Sequence, residues 1–281
     1  MAASPTQTRT VQRVLSRIGF YLLVIVVGAF FALPMLWLIF APFDRTPSLS
    51  VEVPSFTLAN FTEMFENPFV LSSLRNSVLL SVITMLLVCA SAALCAYALS
   101  RVAVPGRDVL LYILLLFSSI VTGSAAMVPI FQLMFQLGLI NTYTGVVLVM
   151  AGGLLPAGIF ILKDFMGTVP ESYEESARVA GASSVQILKD IVVPVVRPGL
   201  AVIAVWVFVQ VWGNFLMPFI LLRDPAMQPA AVIMYSFYTS GGQADLSVIS
   251  AFSLLYSVPV VLMYLFVNQR YGFRFHGGIK G

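Results

Sequence analysis

Six apolar runs set the terms for this chain: about Ile18–Phe40, Ser73–Leu99, Val109–Met134, Thr142–Leu162, Gly199–Leu222 and Leu246–Val267. Each is long enough to cross the ~30 Å hydrocarbon core of a bilayer as a helix, which takes roughly 20 residues. Inside that core a backbone N–H or C=O finds no water, so each run is expected to satisfy its own hydrogen bonds as an α-helix. Composition agrees. Charged residues make up 10% of the chain and hydrophobic residues 59%, with a mean hydropathy of +0.97; a soluble domain carries roughly 25% charged residues. Too little polar surface is available to cover a water-soluble particle. The expected fold class is an all-α integral membrane protein with six transmembrane helices. The first run follows Arg9, Arg13 and Arg17 as a signal peptide would. Its apolar core is too long for one, and a retained span is expected.

Lysine and arginine placement sets the expected orientation. With the N-terminus in the cytoplasm, the inner segments hold Arg9, Arg13, Arg17, Arg101, Arg107, Lys163, Arg178, Lys189, Arg197, Arg270, Arg274 and Lys280, which is 12 of the 15 basic residues; the outer segments hold Arg45, Arg75 and Arg223. The opposite orientation would reverse the bias. The expected layout is N-in, C-in. Residues 1–17 and 269–281 are cytoplasmic ends, residues 18–268 the membrane domain, about 41–72 and 223–245 the larger external loops, and about 163–197 a long cytoplasmic loop. The first external loop, with Asp44, Glu52, Glu63 and Glu66 among Pro47, Pro54 and Pro68, reads as a structured cap or short amphipathic helix. The second carries Tyr235, Phe237 and Tyr238, either an interfacial aromatic belt or contacts to something bound outside.

What the spans lack narrows the function. An ionisable residue at mid-membrane costs roughly 2.5–3.5 kcal/mol on insertion scales and marks ion pathways or proton relays. None of the six runs has Asp, Glu, Lys, Arg or His near its centre, and the only histidine, His276, lies in the C-terminal tail. An ion-coupled secondary carrier is disfavoured, although backbone carbonyls can hold sodium without charge. No G-x-x-x-x-G-K-[ST] phosphate loop is present, nor a nucleophile–base pair or metal-ligand cluster, so the chain is not expected to be an enzyme. Cys89 and Cys95 fall in one apolar run on different helix faces and read as packed thiols. No basic, aromatic-interleaved run suggests nucleic acid. If this protein drives uphill transport, the energy arrives from another subunit.

The segment ESYEESARVAGASSVQILKDIVVPVV, Glu171 to Val196, is a charged helical stretch between two long apolar runs. Pro170 suits a first helical turn. Glu171, Glu174 and Glu175 favour a helix start, and Gly181 suits the left-handed residue that ends one. Ser183 and Gln186 form an S-x-x-Q capping box for a second helix. Val185, Leu188, Ile191 and Val192 make its apolar stripe, and Pro194 is expected to break or kink the chain on re-entry to the membrane. This helix–turn–helix is either an interfacial hairpin with no partner or a docking knob for a soluble motor.

The spacing Glu175-Ser176-Ala177, three residues, Gly181, nine residues, Ile191, one residue, Val193-Pro194 resembles the EAA motif of importer-type ABC permeases. Ser176 stands for the usual Ala and Val193 for Leu. Arg75-Asn76-Ser77, Ala96-Tyr97-Ala98 before Arg101, the run Val209–Leu222 and the tail Gly277–Gly281 are similar to the smaller permease of maltose-type carbohydrate importers. The resemblance implies the type I ABC importer transmembrane fold in the bacterial cytoplasmic membrane. The implied partners are a second, larger permease, two ATP-binding subunits that carry the ATP and Mg2+, an extracytoplasmic solute-binding protein, and the lipid itself; this chain binds no cofactor. It implies ATPase coupling through Glu175, Ser176, Ala177, Gly181, Ile191 and Pro194. Glu175 would pair with a basic group, Ser176 and Ala177 would allow close approach, Gly181 would set the turn, and Ile191 and Pro194 would tie the loop to span five. A small polar solute is implied, first a carbohydrate, with glycerol-3-phosphate or a glycerophosphodiester as competitor. Gln210, Trp212 and Asn214 are candidate pathway residues. Trp212 and Asn214 cannot share one face of a regular helix, so the helix is irregular there or the two serve different ends.

Overall fold

The computed structural model describes residues 5–50, 53–102, 105–121, 126–237 and 245–271, and among them every regular element is helical. The expected tail residues Arg274, His276 and Lys280, the run Gly277–Gly281, and Tyr238 lie outside the described residues. The chain forms two units, one of residues 1–66 with 237–255, the other of residues 67–236 with 256–281.

In the first unit, α1 (Pro5–Phe40) has 36 residues and so runs about 54 Å, taking in the arginines that precede the apolar run. Its apolar side chains stand exposed, Ile25 at 65% and Phe30 at 72%, a surface that only lipid or another apolar chain can cover. The following loop is structured, as expected. Asp44 bridges to Phe56, and its carboxylate accepts from the Ser55 hydroxyl at 2.6 Å. Asn60, on α2 (Ala59–Glu66), donates to the carbonyls of Pro42 at 3.1 Å and Asp44 at 2.7 Å. The Phe43 ring lies against Phe56 and Phe61. Later in the chain, Asp245 accepts from the amides of Ser247 and Val248 and so caps α12 (Leu246–Tyr271).

The second unit contains α3 (Val70–Arg101), α4 (Arg107–Val121), α5 (Met127–Gln136), α6 (Tyr143–Met166), α7 (Glu171–Val179), α8 (Ser184–Ile187), α9 (Val193–Trp212), α10 (Leu216–Leu221) and α11 (Ala230–Ile233). Its core is the packing of α3 against α6 and α9. Helices in lipid gain little from hiding apolar surface, so they associate through close van der Waals fit at small residues. The sequence supplies them. The buried face of α3 carries Ser73, Ser77, Ser81, Ala92 and Ala96. Gly158 of α6 sits where a Cβ would lie 3.3 Å from Val88, 3.5 Å from Ala92 and 3.7 Å from Ile203, so one missing side chain lets three helices meet.

Among the described residues, five helical segments are long and apolar enough to cross a membrane: Ser16–Phe43, Val70–Arg101, Tyr143–Met166, Ser184–Trp212 and Leu246–Arg270. The third apolar run is described only in part. It is covered by α4 and α5, of 15 and 10 residues, with residues 122–125 between them outside the described set. Neither helix alone reaches span length. Cys89 and Cys95 are unpaired thiols, each half-buried in α3.

The crossing of α6 and α9 is tightest at Gly199, where an added Cβ would lie 2.5 Å from Cγ of Phe165 and 3.0 Å from its Cβ. These are the root of the ring and not a flexible tip. Gly199→Ala is expected to lower unfolding stability in detergent by about 1–3 kcal/mol, the usual cost of overpacking. Phe165→Leu in the same chain should recover most of it, as read by thermal unfolding of the two variants.

Candidate functional site

The hairpin between α6 and α9 is built from backbone rules. The α6 helix ends at Met166, and Pro170 then takes an extended conformation (φ −60°, ψ 128°) as the N-cap of α7. Proline is thus one position earlier than expected. Glu171 and Glu174 occupy the first turn of α7 and Arg178 its last, each sign matching the helix dipole. The end of α7 is a Schellman motif. The amide of Ala182 donates to the Ala177 carbonyl at 3.0 Å, and that of Gly181 to the Arg178 carbonyl at 3.0 Å. Gly181 has φ +90°, a conformation that side chains disfavour. Ser183 then opens α8 with a complete capping box: its hydroxyl accepts from the Gln186 amide, and its own amide donates to Gln186 Oε1 at 2.8 Å. Both helix signals in the sequence are therefore realised, and the turn between them is locked from both sides.

The exit from the hairpin differs from expectation. Pro194 does not break the chain; α8 runs through a π-helical turn, Leu188–Val192, directly into α9, with Pro194 in the first turn of α9. In the π turn the Val193 amide donates to the Leu188 carbonyl, five residues back. That wider spacing accommodates the proline ring and its missing donor without ending the helix. The buried stripe shifts with it. Ile187, Val192 and Val196 are buried beside Val169 and Met166, Leu188 and Ile191 are half-buried, and Val185 is 74% exposed.

The predicted coupling residues fall into two groups. Glu175, Ser176 and Gly181 lie on the open side of the hairpin, Ser176 donating to the Ser172 carbonyl at 2.8 Å. Ala177, Ile191 and Pro194 face partly inward, and Ala177 and Ile191 pack against the core. Exposed apolar groups, Tyr173, Val179 and Val185, share the surface with Glu175. Sequence reasoning treated Glu174 only as a first-turn acid. It is 3% exposed, and its Oε1 accepts from Arg101 Nε at 2.7 Å while its Oε2 accepts from the Tyr97 hydroxyl at 3.0 Å. The available signal was the polar Tyr97 and Arg101 closing an otherwise apolar run. A second ion pair, Lys163 with Asp108, joins the end of α6 to the start of α4. The lysine holds the Asp108 carboxyl below its ordinary value, so this contact is intact at neutral pH and is lost only as pH falls through that lowered value.

The three pathway candidates separate. Trp212 ends α9 inside the core, 2% exposed. Its indole N–H donates to the Tyr256 carbonyl at 3.2 Å, the Tyr256 hydroxyl donates back to the Trp212 carbonyl at 2.6 Å, and the ring stacks between Phe208 and Tyr256. Its geometry serves packing of α9 on α12. Asn214 lies beyond the helix break and half-buried, its Oδ1 accepting from the Met217 amide at 3.0 Å to start α10. Gln210 is exposed. The helix is thus irregular and the residues serve different ends. Beside the break, Phe215 and Phe219 stack at 5.0 Å, with Tyr235 at 6.0 and 6.3 Å.

At the other end of the unit, Asn76 fixes the loop after α10. Its amide donates to the carbonyls of Ala226 at 2.9 Å and Gln228 at 3.2 Å, and it accepts from the Tyr143 hydroxyl at 2.9 Å. The Ala230 amide donates to Ser77 at 2.8 Å. Asn141, at φ 59°, accepts from the amides of Arg223 and Asp224. The Asn76-Ser77 pair singled out in the sequence is an anchor for this loop.

Residues 94–272 match the family described as binding-protein-dependent transport system inner membrane component. The maltodextrin transport system permease protein of Bacillus subtilis is 28% identical over 92% of this chain and 94% of its own length. The galactooligosaccharides transport system permease protein of the same organism is 30% identical, covering 93% and 94%. The trehalose transport system permease protein of Mycobacterium tuberculosis is 28% identical, covering 85% and 88%. A chain of a bacterial ABC transporter involved in the import of the acidic polysaccharide alginate superposes with a TM-score of 0.76 at 21% identity, over 96% of this chain and 99% of that one. The chain therefore belongs to the family of binding-protein-dependent transport system inner membrane components, as a multi-pass membrane permease.

Proposed function

We propose that this chain is one of two permeases of an ATP-driven carbohydrate importer and that its hairpin, residues 163–197, docks into an ATPase subunit. The observation that carries the docking role is the hairpin itself. Two short helices, joined by a turn capped on both sides, present Tyr173, Glu175, Val179 and Val185 outward from a buried apolar base. A mobile loop would dissipate force, whereas a turn held by a Schellman motif on one side and a capping box on the other moves as a unit. Glu175 supplies the charge for a basic group in the receiving cleft. Ser176 and Ala177 keep the contact close, Gly181 sets the turn, and Ile191 and Pro194 join the hairpin to α9. When the motor closes, this knob is displaced and α9, continuous with it, turns.

The proposed topology is N-in and C-in with six spans, α4 and α5 together making the third. It rests on the 12-to-3 distribution of basic residues across the two sides. The second permease and lipid cover the exposed face of α1, the two ATPase subunits hold the ATP and Mg2+, and a solute-binding protein delivers the cargo. The sugar assignment rests on relatives named for maltodextrin, galactooligosaccharide and trehalose transport. Gln210 and Asn214 are the proposed pathway amides, since both keep polar groups at or near the surface beside a helix break, where hydrocarbon depth tolerates irregular backbone only against protein or water.

Two experiments test this reading. In the complex purified through a tag on this chain, a second permease and an ATPase are expected to co-purify. Glu175→Lys with Gly181→Val should abolish stimulation of ATP hydrolysis by the loaded binding protein or release the ATPase; wild-type coupling in that double variant refutes the docking role. For the cargo, the binding protein of the complex should bind at least one of maltotriose, trehalose or a galactooligosaccharide in calorimetry. Binding of glycerol-3-phosphate and of none of the sugars refutes the carbohydrate assignment.

A further inference from the structure

Among the described residues Glu174 is the only buried carboxylate. Its partner Arg101 lies 73 residues away, at the last position of α3, and its side chain is 16% exposed. Both carboxylate oxygens are used. Oε1 receives Arg101 Nε at 2.7 Å and Nη2 at 2.6 Å, and Oε2 receives the Tyr97 hydroxyl at 3.0 Å. The same guanidinium donates through Nη2 to the Val169 carbonyl at 3.0 Å and lies 3.8 Å from Glu171. One arginine therefore holds α7 and the segment that leads into it.

Adhesion alone does not explain this choice of residues. Two well-packed apolar side chains hold helices together as well as a buried ion pair, because the pair must first be stripped of water. A forked guanidinium on a fully bonded carboxylate adds direction. It fixes the roll of α7 about its own axis. Glu174 points to α3, and Glu175, one residue and about 100° further round, stands on the open face.

We propose that Arg101, Glu174 and Tyr97 form a strap that makes α7 and the cytoplasmic end of α3 one moving body, so that displacement of the hairpin is delivered to α3 directly and not only to α9 through chain continuity. All three are positioning residues. The proposal rests on the docking reading above. It adds a second output to the lever, into the helix around which α6 and α9 pack.

Spin labels at Leu94→Cys on α3 and Ser172→Cys on α7, both exposed positions, report the separation in the full complex, with Cys89→Ala and Cys95→Ala removing the native thiols. Pulsed dipolar spectroscopy should give one narrow distance, the same in the nucleotide-free and ATP–vanadate-trapped states. Glu174→Gln should make that distance broaden and shift on trapping. Arg101→Lys, which keeps the charge but loses the fork, should do so to a smaller degree and carries the test if Glu174→Gln does not assemble. A trapping-dependent shift in the unsubstituted strap overturns the proposal, as does a variant whose distances match the parent's in both states. Failure of the docking reading shows itself separately, as a complex without ATPase or as full coupling in the Glu175 and Gly181 double variant.

Discussion

Hydrocarbon offers a backbone no hydrogen-bond partners and offers apolar side chains no reason to leave it. The first half of that constraint makes every long run in this chain a helix; the second removes the hydrophobic effect as the glue between helices. What remains is close fit, and the small residues of α3, with Gly158 and Gly199, supply it. Everything polar in the second unit is arranged around that packed trio. Asn76 and Ser77 tie the loop after α10 to the start of α3, and Arg101 ties α7 to its end. Inside the trio the buried polar groups are small, Ser81 and Thr84 among them, and the longer polar side chains act at its two ends.

The local chemistry of the hairpin was legible in the sequence because its signals are short-range. A left-handed glycine, an S-x-x-Q box and acids in a first turn act within a few residues, and each is where reading placed it. The partner of Glu174 was not legible, because the pairing spans 73 residues and depends on how α3 packs. The setting of Trp212 was not legible for the same reason. An indole beside two amides left pathway lining and helix packing both open, and the fold turns it onto Tyr256, 44 residues on. Pro194 was read by its usual effect in a helix, and the π turn that absorbs it leaves no mark in composition. The third run is apolar but carries Ser118, Ser119, Thr122, Gly123 and Ser124 near its middle, and among the described residues it is carried by two helices, α4 and α5.

The exposed surface divides by chemistry. From Ile18 to Phe40 the exposed surface of α1 is apolar and suits lipid or an apolar neighbour, while the hairpin mixes Tyr173, Val179 and Val185 with Glu175. Interfaces of the second kind gain orientation from charge and area from aromatic and aliphatic groups.

The π turn at Leu188–Val192 also fixes something that composition does not. An α-helix advances about 100° for each residue, so deleting or inserting one residue between Ile187 and Pro194, beyond the capping box, would swing the hairpin by about that angle around the axis of α9. The capped turn would survive intact and face the wrong way. The direction in which the hairpin faces is therefore set by the count of residues in that stretch as much as by its side chains, as the pitch of a screw thread sets where its head comes to rest.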